Sequence, residues 1–132
     1  MIRYLYITFV IFLIYSLSCS SSTSKTNVYS ADFKLHVKNI DNYSINATLS
    51  YEGCDNVDNS NMNVKNEKRS IDLGTIGPGA TKSYDINIYW VDSSSIKVKI
   101  TGNNSIMRGS VNYSTAIDNG FKDIRSAEIK LE

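Results

Sequence analysis

The chain has 132 residues, of which 42% are hydrophobic and 20% charged, and its formal net charge at pH 7 is +1. This length allows one domain. The composition excludes collagen, coiled coils, polytopic membrane proteins and highly charged disordered chains. A net charge so close to zero lacks the electrostatic footprint of nucleic-acid binders, so we expect no nucleic-acid partner.

Residues 1–18 have the composition of an export signal. Arg3 supplies a positive end, and the following segment, 4–17, contains no charged side chain. A helix of that length spans about 21 Å at roughly 1.5 Å per residue, less than the roughly 30 Å hydrocarbon core of a bilayer. The segment therefore predicts a secretory signal peptide, with a retained membrane helix as the alternative.

Cys19 stands where cleavage after the small residue Ser18 would make it the first residue of the mature chain. The run Leu17-Ser18-Cys19, followed by a stretch rich in Ser and Thr, resembles the signal of bacterial lipoproteins, in which the cysteine thiol carries diacylglycerol. The usual pattern has Leu three residues before the cysteine, where this chain has Ser16. The resemblance implies that Cys19 is lipidated and that two acyl chains anchor the protein to a membrane.

The second cysteine leaves an alternative to lipidation. Cys54 is an unpaired thiol if Cys19 is acylated, whereas in a soluble secreted protein the two would form a Cys19–Cys54 disulfide. Residues 19–30 have no apolar periodicity and predict a flexible Ser-rich tether that starts at the lipidated cysteine. The predicted organisation is a signal peptide over 1–18, this tether over 19–30 and a single domain over 31–132.

From Ala31 onward, apolar residues recur at every second position, which is typical of strands with one face in a core. The predicted strands are Phe33–Lys38, Ile45–Tyr51, Ser70–Leu73, Tyr84–Trp90, Ile96–Ile100, Val111–Ile117 and Ala127–Leu131. Turn signals occur at Gly77-Pro78-Gly79, Gly102-Asn103-Asn104 and Asn119-Gly120, and the last of these is a strong hairpin signal. The pattern predicts an all-β fold, an antiparallel immunoglobulin-like β-sandwich of about seven strands that follows the signal segment.

Residues 73–86, with the sequence LGTIGPGATKSYDI, resemble a stretch of small bacterial immunoglobulin-like or fibronectin-like modules, in which a Pro-Gly turn separates two strands. Together with the signal, this resemblance implies a small bacterial surface or envelope lipoprotein. The many Asn, Ile and Lys residues are typical of an AT-rich genome and favour a low-GC bacterium. We expect the protein at the cell membrane or the outer envelope surface, where its partner is another envelope protein or a host surface molecule.

Groups that could carry catalysis are few. His36, the single histidine, lies at a solvent-facing position between two lysines, which favours an exposed imidazole over a catalytic base. No Gly-x-Ser-x-Gly nucleophile elbow and no set of zinc ligands occurs. We therefore expect no enzyme activity, cofactor or metal, and a small hydrolase is the alternative from the class of enzymes.

The irregular segment 53–69 is long for a connection within a compact domain. Asn56, Asp58, Ser60 and Glu67 have the spacing of ligands in a calcium loop. The first Asp and the turn glycine of such a loop are absent, and no helical pattern flanks it. The pattern favours a solvated loop, with calcium binding as the alternative.

Two further features could contact a ligand. Cys54 has no adjacent base that would activate its thiol. We therefore expect it to be buried and to behave as a small hydrophobic residue. Tyr89 and Trp90 are adjacent aromatics, but only Tyr89 falls on the outward parity of its strand, so we expect Trp90 in the core or at its rim. The sequence therefore predicts a non-catalytic interaction or structural module that binds through a sheet edge or the 53–69 loop.

Overall fold

The structure is a computed structural model that describes residues 26–56, 64–106 and 109–132, so the predicted signal peptide and Cys19 lie outside the described residues. The described residues form seven strands: β1 (Val28–Asn39), β2 (Ile45–Gly53), β3 (Glu67–Ile76), β4 (Thr81–Val91), β5 (Ser95–Asn103), β6 (Tyr113–Asp118) and β7 (Ile124–Ile129). The predicted all-β sandwich of about seven strands is confirmed. Of the described segments, none is a helix with the length and hydropathy needed to cross a bilayer.

The strands form a three-stranded sheet in the order β4-β1-β7 and a four-stranded sheet in the order β3-β2-β5-β6. Every pairing between named strands is antiparallel except the one between β1 and β7, which is parallel. A tight hairpin cannot join parallel neighbours, because parallel strands need a long crossover between them. Here the crossover runs from residue 40 to residue 123 and contains the other five strands of the described fold, and β1 and β7 stabilise each other.

The core lies between the two sheets and is built from the inward residues of the alternating pattern. The largest fully buried side chains include Trp90, Ile45, Leu49, Ile88, Ile100 and Ile117. Of the two positions predicted for Trp90, core or rim, the structure shows the core. The indole Nε1–H of Trp90 donates a hydrogen bond to the backbone oxygen of Ser93 at 2.8 Å. Its ring also stacks against Tyr29, with 6.2 Å between the ring centroids.

The first and last strands differ from the predicted bounds. β1 begins at Val28, ahead of Ala31, because Tyr29 pairs with Trp90 across the β1–β4 ladder and packs on its ring. The final residues of the predicted tether are therefore part of the sandwich. β7 ends at Ile129, since the backbone N–H of Leu131 turns away to donate to the Asp41 carboxylate at 3.0 Å.

The Gly77-Pro78-Gly79 signal forms the predicted tight turn. The backbone N–H of Ala80 donates to the carbonyl of Gly77 at 3.1 Å, and Gly79 has φ +66°. Pro at the second position and a glycine with positive φ at the third are the features of a type II turn. This turn carries the chain from β3 in one sheet to β4 in the other.

The prediction of a hairpin at Asn119-Gly120 is wrong. Gly120 has the positive φ that the signal requires, +74°, but β6 and β7 belong to different sheets. The turn is fixed to the start of β1 instead. The Gly120 N–H donates to the Ser30 carbonyl at 2.7 Å, and the Ser30 N–H donates to Asn119 Oδ1 at 3.0 Å. These two bonds direct the chain towards β1 and make the turn a connection between sheets.

We call the end of the sandwich at Val28 the proximal end and the end at the β1–β2 turn, residues 40–44, the distal end. Asn39 is fully buried at the distal end. Its side-chain Nδ2 donates to the carbonyls of Tyr43 at 2.6 Å and Ile76 at 3.0 Å, and its Oδ1 accepts from the N–H of Asp41 at 2.9 Å. One side chain of the three-stranded sheet thus holds both the turn and the end of β3.

A second amide holds the same turn from the four-stranded sheet. Asn104 follows β5 and is 9% exposed, and its Nδ2 donates to the carbonyl of Ser44 at 2.8 Å. The distal turn is therefore fixed on both sides, although it exposes large apolar side chains. Ile40 and Tyr43 are each 45% exposed, and Ile106 in the neighbouring loop is 85% exposed.

Candidate functional site

Cys54 is buried, as the sequence predicts for a thiol that is not activated, with 5% of its surface exposed. It has no disulfide partner among the residues that the structure describes, and Cys19 lies outside them. Cys54 follows β2 and forms an isolated bridge to β4, in which its backbone N–H donates to the carbonyl of Tyr89 at 2.8 Å. The preceding residue must be small, because a Cβ atom at Gly53 would collide with that same carbonyl oxygen and with the ring of Tyr51. The chain passes here from the four-stranded sheet to the edge of the three-stranded sheet.

Arg69 lies beside this bridge and is held by a carboxylate. Its Nη1 and Nη2 contact the two oxygens of Asp55 at 2.8 and 3.1 Å, and Nη2 lies 3.8 Å from Glu67. The hydrogen bonds that the Arg69 guanidinium donates to the Asp55 carboxylate raise the pKa of Arg69. The pKa values of Tyr51 and Cys54 are raised chiefly by burial, against the opposing effect of the Arg69 charge. The positive charge of the Arg69 guanidinium is therefore matched by carboxylates of the same domain.

The burial of Cys54 predicts that its thiol reacts slowly with soluble reagents. Because burial raises the pKa of Cys54, its thiolate is disfavoured in the folded protein at neutral pH. In the Cys19→Ser variant, which isolates this thiol, we expect a soluble aromatic disulfide reagent to react at pH 7 at least about tenfold more slowly with native than with urea-unfolded protein. Equal rates at pH 7 would show that the thiol is accessible.

The raised pKa of Cys54 also determines how stability changes at alkaline pH. Because the thiol has a higher pKa in the folded protein than in the unfolded chain, its contribution to stability is fully present below the ordinary thiol pKa of about 8.5. That contribution is lost as the pH rises towards the pKa of Cys54 in the folded protein. We therefore expect the native reaction rate to rise, and the stability to fall, as the pH is increased above about 8.5. Urea unfolding at pH 7 and pH 10 measures this change, and the Cys54→Ala variant is the matched control for the contribution of the thiol.

His36 lies on the outer face of the three-stranded sheet, on the predicted parity, and is half-buried. Its Nδ1 lies 2.6 Å from the hydroxyl oxygen of Ser83, its direct partner in the β1–β4 ladder. The neighbouring Lys34 is ion-paired with Asp85 at 3.0 Å. The contact of His36 is thus a cross-strand pair between opposed polar residues. The hydrolase alternative for this histidine stays a prediction.

The remaining candidates from the sequence fall partly outside the described residues. Asp58 and Ser60 of the calcium pattern are among the residues not described, and Glu67 lies 3.8 Å from Arg69. Among the residues that the structure describes, no group of three His, Cys, Asp or Glu side chains could hold a metal ion. Tyr89 is half-buried while Trp90 is 1% exposed, so only Tyr89 of this pair reaches the surface, as parity predicts.

A groove of about 520 Å³ crosses the outer face of the four-stranded sheet. We call it the lysine groove, because Lys68 of β3 and Lys97 and Lys99 of β5 line it. The groove has a simple origin in the register. Lys99 lies opposite Ser50 of β2 on one side and Ser114 of β6 on the other, so short side chains flank a long one.

The charges of the lysine groove are mostly unmatched. All three lysines are exposed, and within the described ranges none has a carboxylate within ion-pair distance. Glu52, which lies opposite Lys68 in the β2–β3 ladder, is the acidic residue that lines the groove. On the opposite sheet the arrangement differs, since Lys34 and Lys38 pair with Asp85 and Glu128.

Sequence reasoning missed this groove. Alternation places Lys97 and Lys99 on the outward face of their strand, but a solvated face and a binding groove share that pattern. The usable signal was the run Ile96-Lys97-Val98-Lys99-Ile100, which has two lysines and no acidic residue. Only the register between strands brings Lys68 to the same surface.

The fold and this surface define the class of the protein as a small β-sandwich with a cationic groove on one sheet face. Comparison with protein-family models, curated proteins and solved structures gave no match.

Proposed function

We propose that the protein is an exported, lipid-anchored and non-catalytic β-sandwich that acts as an interaction or structural module at the envelope of a low-GC bacterium. The observation that carries this proposal is the direction in which β1 runs through the sandwich. β1 starts at the proximal end with Val28, only nine residues after Cys19, and ends at the distal end with Asn39. A tether anchored at Cys19 therefore enters the sandwich at one end.

The direction of β1, from the proximal end to the distal end, suits display of the domain from a membrane. The 12 residues of β1 extend about 36–40 Å at roughly 3.3 Å per residue. Two acyl chains give stable anchoring, whereas a single chain gives only reversible binding. In this arrangement the distal turn, fixed by Asn39 and Asn104, points away from the membrane, and both sheet faces are open to partners. The partner is then another envelope component or a host surface molecule.

The surroundings of Cys54 support lipidation over the Cys19–Cys54 disulfide. A disulfide requires the two sulfur atoms to lie about 2.05 Å apart. The Cys54 side chain is 5% exposed, and its backbone is bonded to the edge of β4. An incoming Cys19 sulfur would have to displace the packing around this thiol, which has a destabilising effect.

Replacement of each cysteine tests the proposal, with the other as matched control. We expect Cys19→Ser to abolish incorporation of a labelled fatty acid and to move the protein from the membrane fraction to the soluble fraction. We expect Cys54→Ser to keep both the label and the membrane location. A free-thiol count on unreduced wild-type protein should give one thiol, from Cys54. Unchanged membrane retention of Cys19→Ser, or a count of zero thiols, would refute the lipid anchor.

A further inference from the structure

We infer that the lysine groove binds an acidic polysaccharide, an extended sugar polymer that carries carboxylate or sulfate groups. This inference names the class of partner and rests on the proposed role as an interaction module, but not on the lipid anchor.

The lysine groove carries an excess of positive charge. Among the described residues, three exposed ammonium groups and one carboxylate, that of Glu52, line the groove, and the charge of Arg69 is matched by its contacts to Asp55. A local excess of positive charge therefore stands on a chain whose formal net charge is only +1. Clefts lined by one sign of charge raise the local concentration of ligands of the opposite sign. The complementary ligand is an anion.

The lysine groove lies in the middle of the four-stranded sheet. It crosses β2 and β5, which are the central strands of the four-stranded sheet and are paired on both sides. A peptide that binds by strand addition needs an unpaired sheet edge, so it cannot use this surface in that way. Recognition here must come from side chains. Lysine ammoniums serve as point charges for anionic groups, and Ser114 and Asn112 line the same groove with groups that can bond to sugar hydroxyls.

The dimensions fit an extended polymer with repeated charges. Lys97 and Lys99 project from the same face of β5, about 6.6–6.8 Å apart along the strand. Lys68 lies on β3, which β2 separates from β5 at about 4.8 Å per strand spacing. A volume of about 520 Å³ lies within the range of ligand sites in proteins. The chain of sugars would contact three separate charges rather than a single anion pocket.

The outer face of the three-stranded sheet differs from the lysine groove. Lys34 and Lys38 of β1 also project outward, but Asp85 lies 3.0 Å from the first and Glu128 lies 3.9 Å from the second. These lysines are already matched by acidic side chains. They therefore give a control in which the same change of net charge is made on the face that we do not expect to bind.

The test uses protein purified from cells that express the full chain, with calorimetric titration of alginate, dextran sulfate and neutral dextran. We expect binding to at least one of the two acidic polymers and none to neutral dextran. Alginate carries carboxylates and dextran sulfate carries sulfates, so the two titrations identify the anionic group. Binding should weaken as salt is raised, because exposed charges are screened over about 8 Å at 0.15 M ionic strength.

Three variants locate the site. We expect Lys97→Ala combined with Lys99→Ala to weaken binding at least about tenfold, and Lys34→Ala combined with Lys38→Ala to change it less than about twofold. We expect Glu52→Gln to strengthen binding about two- to threefold, because it removes the carboxylate from the groove. Circular dichroism and thermal melting should show that all three variants remain folded.

Several outcomes would overturn the inference. Absence of binding to both acidic polymers would refute it, and so would equal losses in the two double-lysine variants, which would show an effect of net charge alone. Binding of single-stranded DNA or of vesicles with anionic lipids, with an affinity equal to that for the polysaccharide, would refute the commitment to sugars. These results are separate from the fate of the lipid anchor, which fatty-acid labelling of Cys19 reports independently.

Discussion

Replacing Trp90 with Ala should lower the free energy of unfolding by about 3–5 kcal/mol. The side chain is 1% exposed, its ring stacks on Tyr29, and its Nε1–H is bonded to the Ser93 carbonyl. Truncation therefore opens a cavity in the core and removes a hydrogen bond that holds the β4–β5 turn. A domain of this size is stable by about 5–15 kcal/mol, so the loss is a large share of the total.

Urea unfolding followed by far-ultraviolet circular dichroism measures this loss, because the variant contains no tryptophan for fluorescence. Trp90→Phe separates the two contributions. It keeps an aromatic ring in the core but loses the bond to Ser93, and we expect a cost of about 1–2 kcal/mol. Tyr43→Ala is the matched truncation of a partly exposed aromatic, for which we expect a change within about 0.5 kcal/mol. Equal costs for Trp90→Ala and Tyr43→Ala would contradict the core position of Trp90.

The strands were predictable because the signal that defines them is local. Phe33, Leu35 and Val37 alternate with polar residues in the sequence, and all three are buried in the structure. The same reasoning holds for Ile96, Val98 and Ile100, which are also buried. Side chains alternate between the faces of any strand, so this pattern requires no knowledge of the strand's partner.

The partners of the strands were not predictable in the same way. Asn119-Gly120 has the chemistry of a hairpin turn, yet contacts with Ser30 direct the chain to the other sheet. The parallel pairing of β1 with β7 joins residues about ninety positions apart, such as Lys34 and Ile124. Turn residues encode the local backbone geometry, but the sheet that the next strand joins depends on such distant contacts.

The lysine groove illustrates the same limit for a site. The sequence places Lys97 and Lys99 on one face, but Lys68 is far from them in the chain. The ladder between β2 and β3 sets Lys68 opposite Glu52, and the ladder between β2 and β5 sets Lys99 opposite Ser50. A shift of one residue in either ladder would turn these side chains to the other face. The site therefore depends on register, which the bulge between Ala47 and Thr48 also affects.

Replacing Asn39 with Leu should destabilise the protein by about 2–4 kcal/mol, although leucine is apolar and of similar size. The side chain is fully buried and bonds to Ile76, Tyr43 and Asp41. Leucine leaves these three backbone groups without that partner, and a buried polar group that loses its hydrogen bond costs about 1–3 kcal/mol. The loss should loosen the distal turn together with the end of β3. Urea unfolding measures the total cost, and hydrogen exchange should show faster exchange in residues 40–44.

The Asn39→Asp variant gives the same site a pH readout. A carboxylate at this position faces the carbonyl oxygens of Tyr43 and Ile76, so we expect its pKa to be raised by burial and by these oxygens. Stability is then retained below the ordinary Asp pKa of about 3.9 and lost as the pH rises above it. The loss in free energy of unfolding relative to wild type should therefore be larger at pH 7 than at pH 4. The other carboxyl groups are the same in both proteins, so their titration cancels in this comparison. Asn103→Asp, at an exposed position on β5, should show no such dependence. A penalty for Asn39→Asp that does not change with pH would contradict the buried hydrogen-bonded position of this side chain.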